Sequence, residues 1–328
     1  MALLDIVITH RDEEWRVGRK MFEMMKLQRG VREEDFRVIL VQDGEEGNPL
    51  DMERVMKLYP FVDSVLEIPR GGVSAARNEG LRYADAEWIM FCDFDDCLYS
   101  VDSLYRILES IRQARGQADM IWSSFWIEMR TEDGKWIKRQ KDFNSVFIHG
   151  KVYRREFLTD HGIWFDEELT YSEDAMFNAL VIMETTNARI ARMPEIVYMW
   201  CYREGSLSNY EGGDGTRNLS LYRKRIKLIE AYEARGMTYE AKCSAVRALL
   251  DYYWEINGRD DLPGRTKDEW IQAIRGDILE KYKGAVADIS VADRAELYRV
   301  TREEAKAKKN IRGGMPGVEE WLREIGAI

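Results

Sequence analysis

Cysteine is scarce in this chain: Cys92, Cys97, Cys201 and Cys243 are its only four, and no two are spaced C-x-x-C. That excludes a zinc ribbon and a disulfide scaffold, and the thiols read as free and buried in a reducing compartment. No apolar run is long enough to span a bilayer. The opening stretch MALLDIVITH holds Asp5 within its apolar residues and lacks a basic start. It is therefore not read as a secretion signal, and a cytoplasmic protein is expected. Positive charge is in deficit, with 49 Lys and Arg against 59 Asp and Glu, a net of −10. So acidic a chain is a poor match for duplex nucleic acid, although a local basic cleft for an anion remains compatible with it. Repeats and low-complexity tracts are lacking too. With 45% hydrophobic residues and ten tryptophans, the composition is that of a folded globular protein. At 328 residues, one large domain and one smaller one are expected.

The first half alternates apolar runs with amphipathic stretches. DIVIT (5–9), FRVILV (36–41), SVLEI (64–68) and EWIMFC (87–92) predict strands. The segments between and after them, including VSAARNEGLRYA beyond Gly71-Gly72 and VDSLYRILESIRQAR, predict helices. Such alternation implies an α/β fold with parallel pairing and right-handed crossovers. ADMIWSSFWIEMR and EDGKWIKR then predict a strand pair turning at Asp133-Gly134. Beyond YEGGDGTRN the periodicity becomes helical at 219–235, 239–257, 267–283, 290–308 and 316–325. The boundary is accordingly placed at GGDG, giving domains 1–212 and 213–328.

Ligands of parallel α/β sheets collect at the carboxyl ends of the strands. Thr9 follows the first strand, Asp43 the second, and Asp93, Asp95 and Asp96 the fourth, while Arg77 lies on the helix after the third. These groups are expected to converge on one crevice. Three ionised carboxylates in four positions repel one another and need a counter-charge. On an extended backbone Asp93 and Asp95 would point the same way, presenting hard oxygens to Mg²⁺ or Mn²⁺ and, through the cation, to a diphosphate. The competing reading has Asp95 or Asp96 capping a helix near residue 101.

The segment GGVSAARNEGLRYADAEWIMFCDFDD resembles the core of family-2 glycosyltransferases, with its G-x-S-x-A-R-N-x-G-L, strand, and D-x-D-D. GKVYRREFLTDHGIWFDEELTYSEDAMFNALV (150–181) and YMWCYREGSLSN (198–209) resemble later elements of that family, in the same order. The resemblance implies a GT-A fold for the first domain, beside the C-terminal all-helical domain that the periodicity predicts. It also implies a metal-dependent, inverting transfer of one sugar from a nucleotide-diphospho-sugar, a UDP-sugar by expectation, to an acceptor hydroxyl. By position, it implies donor-binding roles for Thr9, Asp43, Arg77 and Asp93; Arg203, with Ser206, is read separately as closing over the diphosphate. It further implies metal ligation by Asp95 with Asp93, and a catalytic base in Asp174. The acceptor class (glycan, lipid carrier, protein or small molecule) is left open. Departures are the turn Gln42-Asp43-Gly44-Glu45, the missing proline after the first strand, and His149 where tryptophan is usual. No Q-x-x-R-W element of processive synthases is present, which favours single transfer.

Other readings stand beside these. An inactive, carbohydrate-binding GT-A scaffold is the alternative from another class. A sugar nucleotidyltransferase would want glycines after the first strand, where THRDEEWR has none. Glu173-Asp174 also suits a helix N-terminus electrostatically, and Arg203 with Ser206 also suits a surface turn. YRKRIKL (222–228) reads as a solvated helix face, with the inner face of a membrane or an anionic acceptor as alternatives. Trp122, Trp126, Trp254 and Trp270 are expected in the core, and His10 and His161 in structural roles. The helical tail is read either as an acceptor platform or as a homodimerisation element.

Overall fold

A computed structural model describes residues 2–44, 51–114, 116–131, 133–204, 216–259, 262, 264–308 and 310–328. Strands β1 (Leu4–His10), β2 (Phe36–Asp43), β3 (Val62–Ile68) and β4 (Trp88–Asp93) form at the apolar runs. Helices α1 (Trp15–Lys26), α2 (Met52–Leu58) and α3 (Gly72–Tyr83) connect them, and α4 (Ser103–Ala114) follows. The four strands pair in parallel in the order β3-β2-β1-β4, so their carboxyl ends share one edge.

The remainder of the sheet is mixed. It is built from β5 (Cys97–Leu98), β6 (Met120–Arg130), β7 (Trp136–Lys141), β8 (Lys151–Arg154) and β9 (Ile190–Trp200), with α5 (Arg155–Asp160) and α6 (Glu173–Glu184) between β8 and β9. The order is β3-β2-β1-β4-β8-β6-β9-β5, with β7 paired to β6. Because β8 is antiparallel to both β4 and β6, β6 runs in the direction of β4 and ends on the same edge. The β6–β7 hairpin turns where the spacing predicts, the Thr131 N–H donating to the Lys135 carbonyl at 2.9 Å.

One face of the sheet buries Ile6, Ile8, Leu40 and Met90 with the aromatic side of α1 and the apolar side of α4. The other buries Val7, Ile39 and Phe91 with Ala76 and Leu81 of α3 and Phe177 of α6. The approach of α3 is set by Gly80, where a Cβ would stand 2.3 Å from Val7 Cγ1. The glycine of the A-R-N-x-G-L run is thus a packing requirement. It lets the helix lie on β1 and holds Arg77, one turn earlier, over the strand ends.

Met1–Tyr210 and Glu211–Ile328 form two compact units. In the second, α7 (Thr216–Ala234), α8 (Thr238–Gly258), α9 (Lys267–Ile274), α10 (Glu280–Tyr282), α11 (Ala285–Asp288), α12 (Val291–Ala307) and α13 (Val318–Ile325) share a core around Trp254, Trp270 and Trp321. The helix expected over 267–283 changes pitch midway, with a π-helical turn at Arg275–Leu279. Trp122 is buried as expected and Trp126 half-buried. His10 is structural, its ring bonded to Gln42 Oε1 (2.6 Å) and the Glu13 carbonyl (2.8 Å). The stretches GGDG (212–215) and Glu45–Asn48, and Ser206, lie outside the described residues. No helix among the described residues is long and apolar enough to cross a membrane.

Gly80→Ala tests the packing. Overpacking of this kind costs about 1–3 kcal/mol. The thermal midpoint is expected to fall by several degrees, and an unchanged midpoint would show that α3 does not lie so close to β1.

Candidate active site

Arg77 organises the site. It is 2% exposed, and its guanidinium holds carboxylates from two separate segments. Nη2 donates to Asp93 Oδ1 at 2.8 Å, while Nη1 donates to Asp174 Oδ1 at 2.6 Å and to Glu173 Oε1 at 3.0 Å. Its cationic carbon lies 5.2 Å from the centre of the Phe165 ring. Burial works against the charge, but Asp174, Asp93 and Glu173 outweigh it and hold the guanidinium pKa well above its usual value. Asp93 shows the reciprocal effect: burial would raise its pKa, but Arg77, His149 and Arg203 together hold it below its usual value. Glu173 goes the other way. Burial and the neighbouring Asp174 charge push its carboxyl up to about 8.

Asp174 and Glu173 reach Arg77 from the first turn of α6. Ser172 precedes them with φ of 63°, a left-handed conformation uncommon outside glycine, which sets the entry angle of the helix. Two adjacent side chains would ordinarily diverge from a helix; here both meet Nη1 of one arginine. The second Asp174 oxygen, Oδ2, accepts from the Ile148 N–H at 3.0 Å. The loop bearing Ile148 is held by Lys151, buried among apolar groups, whose Nζ donates to the Asn144 carbonyl (2.7 Å) and to the Phe147 carbonyl. Burial brings the Lys151 pKa down to about 7. Asn178 of α6 adds bonds to the Val146 and Phe147 carbonyls.

The acidic triplet separates into different environments. The chain turns directly after β4, the Asp96 N–H donating to the Asp93 carbonyl at 3.2 Å. Asp93 and Asp95 are thus related by a turn, not by the alternation of an extended strand, and that part of the spacing argument is corrected. Asp95 Oδ2 accepts from Arg203 Nε at 2.7 Å, and Arg203 Nη2 also reaches Glu13 at 3.2 Å. Burial and the Asp93 charge raise the Asp95 pKa. Asp96 is fully buried, accepting from the Tyr198 hydroxyl (2.7 Å) and the Cys201 N–H (2.8 Å). Burial and the Asp95 charge raise its pKa strongly. Neither Asp95 nor Asp96 caps α4, whose start is bracketed by Ser100 and Ser103.

His149, Asp93 and Asp96 place one ligand-type atom each within 4.8 Å of one another. His149 stacks on Tyr198 at 4.9 Å, and its Nδ1, 3.8 Å from Asp96, has no hydrogen-bond partner. Both Asp96 oxygens are committed. Among the described residues Asp93 and Asp95 are each bonded on one carboxylate oxygen, so each keeps a second, hard oxygen of the type a divalent cation takes.

Thr9, next to last in β1, is in register with Asp93 and beside it on the shared edge. Asp43 is buried, with Oδ1 accepting from Gly71 N–H (2.7 Å) and Oδ2 from Gly72 N–H (3.0 Å), and so ties β2 to the start of α3. Any base contact by Asp43 uses the remaining lone pairs. Tyr198, Lys151, Ile148 and Asn178 were not singled out in the sequence. Lys151, Asn178 and Tyr198 fall within segments quoted for a family likeness, where nothing local separates them from their neighbours, and Ile148 falls outside them.

Residues 5–169 match the family model described as Glycosyl transferase family 2. The chain is 25% identical over 231 residues to the uncharacterised glycosyltransferase EpsJ of Bacillus subtilis, covering 63% of this chain and 64% of EpsJ. It is 28% identical over 174 residues to the minor teichoic acid biosynthesis protein GgaA of the same organism, covering 48% and 39%. It thus spans less than two thirds of either relative. Residues 1–349 of Staphylococcus aureus TarS, solved in complex with UDP-GlcNAc, share the fold with a TM-score of 0.64 at 18% identity, over 94% of this chain and 92% of that one. The match over half the chain and the mixed sheet with its parallel strand ends agree: this is a member of the family 2 glycosyltransferases, with the GT-A fold.

Proposed function

We propose that the chain transfers a single sugar, with inversion, from a UDP-sugar to an acceptor hydroxyl. The observation behind this reading is the Arg77 clasp, which gathers Asp93 from the strand edge and Asp174 from α6 around one point. Thr9, Asp43, Arg77 and Asp93 are assigned to the donor, and Arg203 to its diphosphate. A divalent cation such as Mn²⁺ or Mg²⁺ held by Asp95 and Asp93 supplies charge neutralisation to a departing diphosphate. Asp174 is assigned as the base. Inversion needs one carboxylate to take the acceptor proton on the face opposite the leaving group, and Asp174, fixed by Arg77 and the Ile148 N–H, keeps lone pairs for it. Glu173, with its carboxyl pushed up to about 8, is largely protonated at neutral pH and so unfit to take a proton there.

Calorimetric titration with UDP, with Mn²⁺ and with chelator, tests the donor side. Wild type is expected to bind UDP more tightly with the metal, and Asp95→Asn to lose that gain, about tenfold in Kd. Equal affinity for UDP, ADP and GDP would overturn the donor assignment. Metal-independent binding by both proteins would overturn the cation site.

Release of UDP from a UDP-sugar tests the base. Asp174→Asn is expected to keep UDP affinity and lose turnover by about 10²- to 10⁴-fold. Glu173→Gln imitates the neutral form already present, so its effect at pH 7 is expected to be small and to grow only above pH 8, where the wild-type group ionises. The opposite ranking would make Glu173 the base. Full activity in both variants would leave the mechanism without one.

A further inference from the structure

His149 departs from the family pattern, and the donor and base assignments leave it unused. It is 3% exposed. Its ring is clamped between others, stacking on Tyr198 at 4.9 Å and on Phe147 at 5.9 Å, with the Phe125 ring edge-on at 5.5 Å. Any aromatic ring could serve in that stack; what histidine adds is nitrogen. Nδ1 is buried and has no hydrogen-bond partner among the described residues. A buried polar atom left unpaired in a native fold needs a reason.

Asp96 faces it with the opposite need. Fully buried, it accepts from two neutral donors, the Tyr198 hydroxyl and the Cys201 N–H. A buried carboxylate without a counter-charge is costly. His149 Nδ1 lies 3.8 Å from Asp96 Oδ2, too far for a hydrogen bond. Two ligands at about 2.1 Å from one zinc ion stand roughly 3.4 Å apart in a tetrahedral shell, so the gap suits a shared ion. Asp93 completes the group, with an oxygen within 4.8 Å of the other two donor atoms. Its side chain is 26% exposed, so the cluster reaches solvent through it. The bonds from Tyr198 and Cys201 do not disqualify Asp96. Each of its oxygens keeps a lone pair, and ligating carboxylates are ordinarily oriented by such bonds.

We propose that His149, Asp93 and Asp96 form a zinc site, distinct from the pairing of Asp95 with Asp93 assigned above to the cation of the diphosphate. One imidazole nitrogen and two carboxylate oxygens suit Zn²⁺ and suit Mg²⁺ poorly, since Mg²⁺ takes oxygen ligands. The ion supplies the charge that Asp96 lacks. It also ties the turn after β4 to the segment that enters β8. The competing account, protonated His149 paired with Asp96, needs no metal and predicts no zinc uptake. The zinc site does not depend on the glycosyl-transfer reading.

Calorimetric titration of chelator-washed, full-length protein with Zn²⁺ is expected to show one ion bound per chain, with Mg²⁺ failing to compete for it. X-ray absorption at the zinc edge is expected to show imidazole nitrogen and oxygen in the first shell, without sulfur. His149→Phe keeps the ring stack and removes both nitrogens. It is expected to retain the thermal midpoint of the metal-free protein and to raise the Kd for Zn²⁺ by at least about 10- to 100-fold. Asp95→Asn is expected to leave that Kd unchanged. Absence of zinc binding by wild type, or equal binding by wild type and His149→Phe, would overturn the proposal. A shell without imidazole would overturn it from wild type alone, whatever the fold of the variant. So would sulfur in the shell, which would place the ion on Cys97 and Cys201, whose Sγ atoms lie 3.7 Å apart. Loss of zinc in Asp95→Asn but not in His149→Phe would move the ion to the diphosphate site and overturn it likewise. Titration of the same zinc-free sample with UDP and Mn²⁺ reports on the donor reading separately.

Discussion

A buried guanidinium bonded to three acidic side chains is the constraint on which the catalytic unit is arranged. Taking such charges out of water is costly, and the cost is offset only when the geometry is good and every member stays paired. Arg77 meets Asp93 sixteen residues on, and Glu173 and Asp174 nearly a hundred residues on. The ion cluster therefore locks α6 against the edge of the parallel strands. Removing Arg77 would leave the Asp93 and Asp174 carboxylates and the Glu173 carboxyl facing one another in a partly dry space, a larger penalty than the loss of any single bond.

Several less conspicuous contacts serve that cluster. Gly80 lets α3 close on β1, and Asp43 binds the first N–H groups of the helix, so Arg77 is fixed from both sides. Asn78, next in the chain, bonds the carbonyl and N–H of Phe165, whose ring lies against the guanidinium. The A-R-N-x-G-L run is thus one device: the arginine holds the acids, the asparagine holds the segment leading to them, and the glycine sets the distance. Tyr198 does similar work on the far side, donating to Asp96 and accepting from the Asp93 N–H, so the turn after β4 is fixed by β9.

The parallel half of the fold was legible because its strands are uniformly buried apolar runs separated by amphipathic helices, a pattern that survives without tertiary information. The antiparallel half was less so. β8 is four residues long, β5 two, and β9 contains Pro194 and Glu195 and pairs with β6 through register shifts, so no clean period exists to read. The site was legible as a set of residues and not as an arrangement. Asp93, Asp95 and Asp96 look alike in sequence. Only the turn after β4, with Tyr198 and Cys201 brought in from β9 and its end, makes Asp96 an internal acceptor while Asp93 and Asp95 face Arg77 and Arg203. Likewise the left-handed Ser172, which brings Glu173 and Asp174 to the same nitrogen, has no signature in YSEDAMF.

Charge balance ties the two arginines together. Asp93, Asp95, Asp96, Glu173, Asp174 and Glu13 crowd a region whose fixed cations bonded to them are Arg77 and Arg203. Protonation relieves part of the excess, since burial and neighbouring charge push Glu173 and Asp96 towards their neutral forms. Arg203 relieves another part, standing as the positive partner of Asp95. A divalent cation at Asp95 would have to share that carboxylate with Arg203 or displace it, and a displaced guanidinium would need a new anion. A diphosphate is an anion of the right charge and geometry, since guanidinium pairs with phosphate oxygens in bidentate fashion. On the proposed reading, cation and diphosphate would be electrostatically complementary guests: each would supply the counter-charge that the other's arrival leaves wanting.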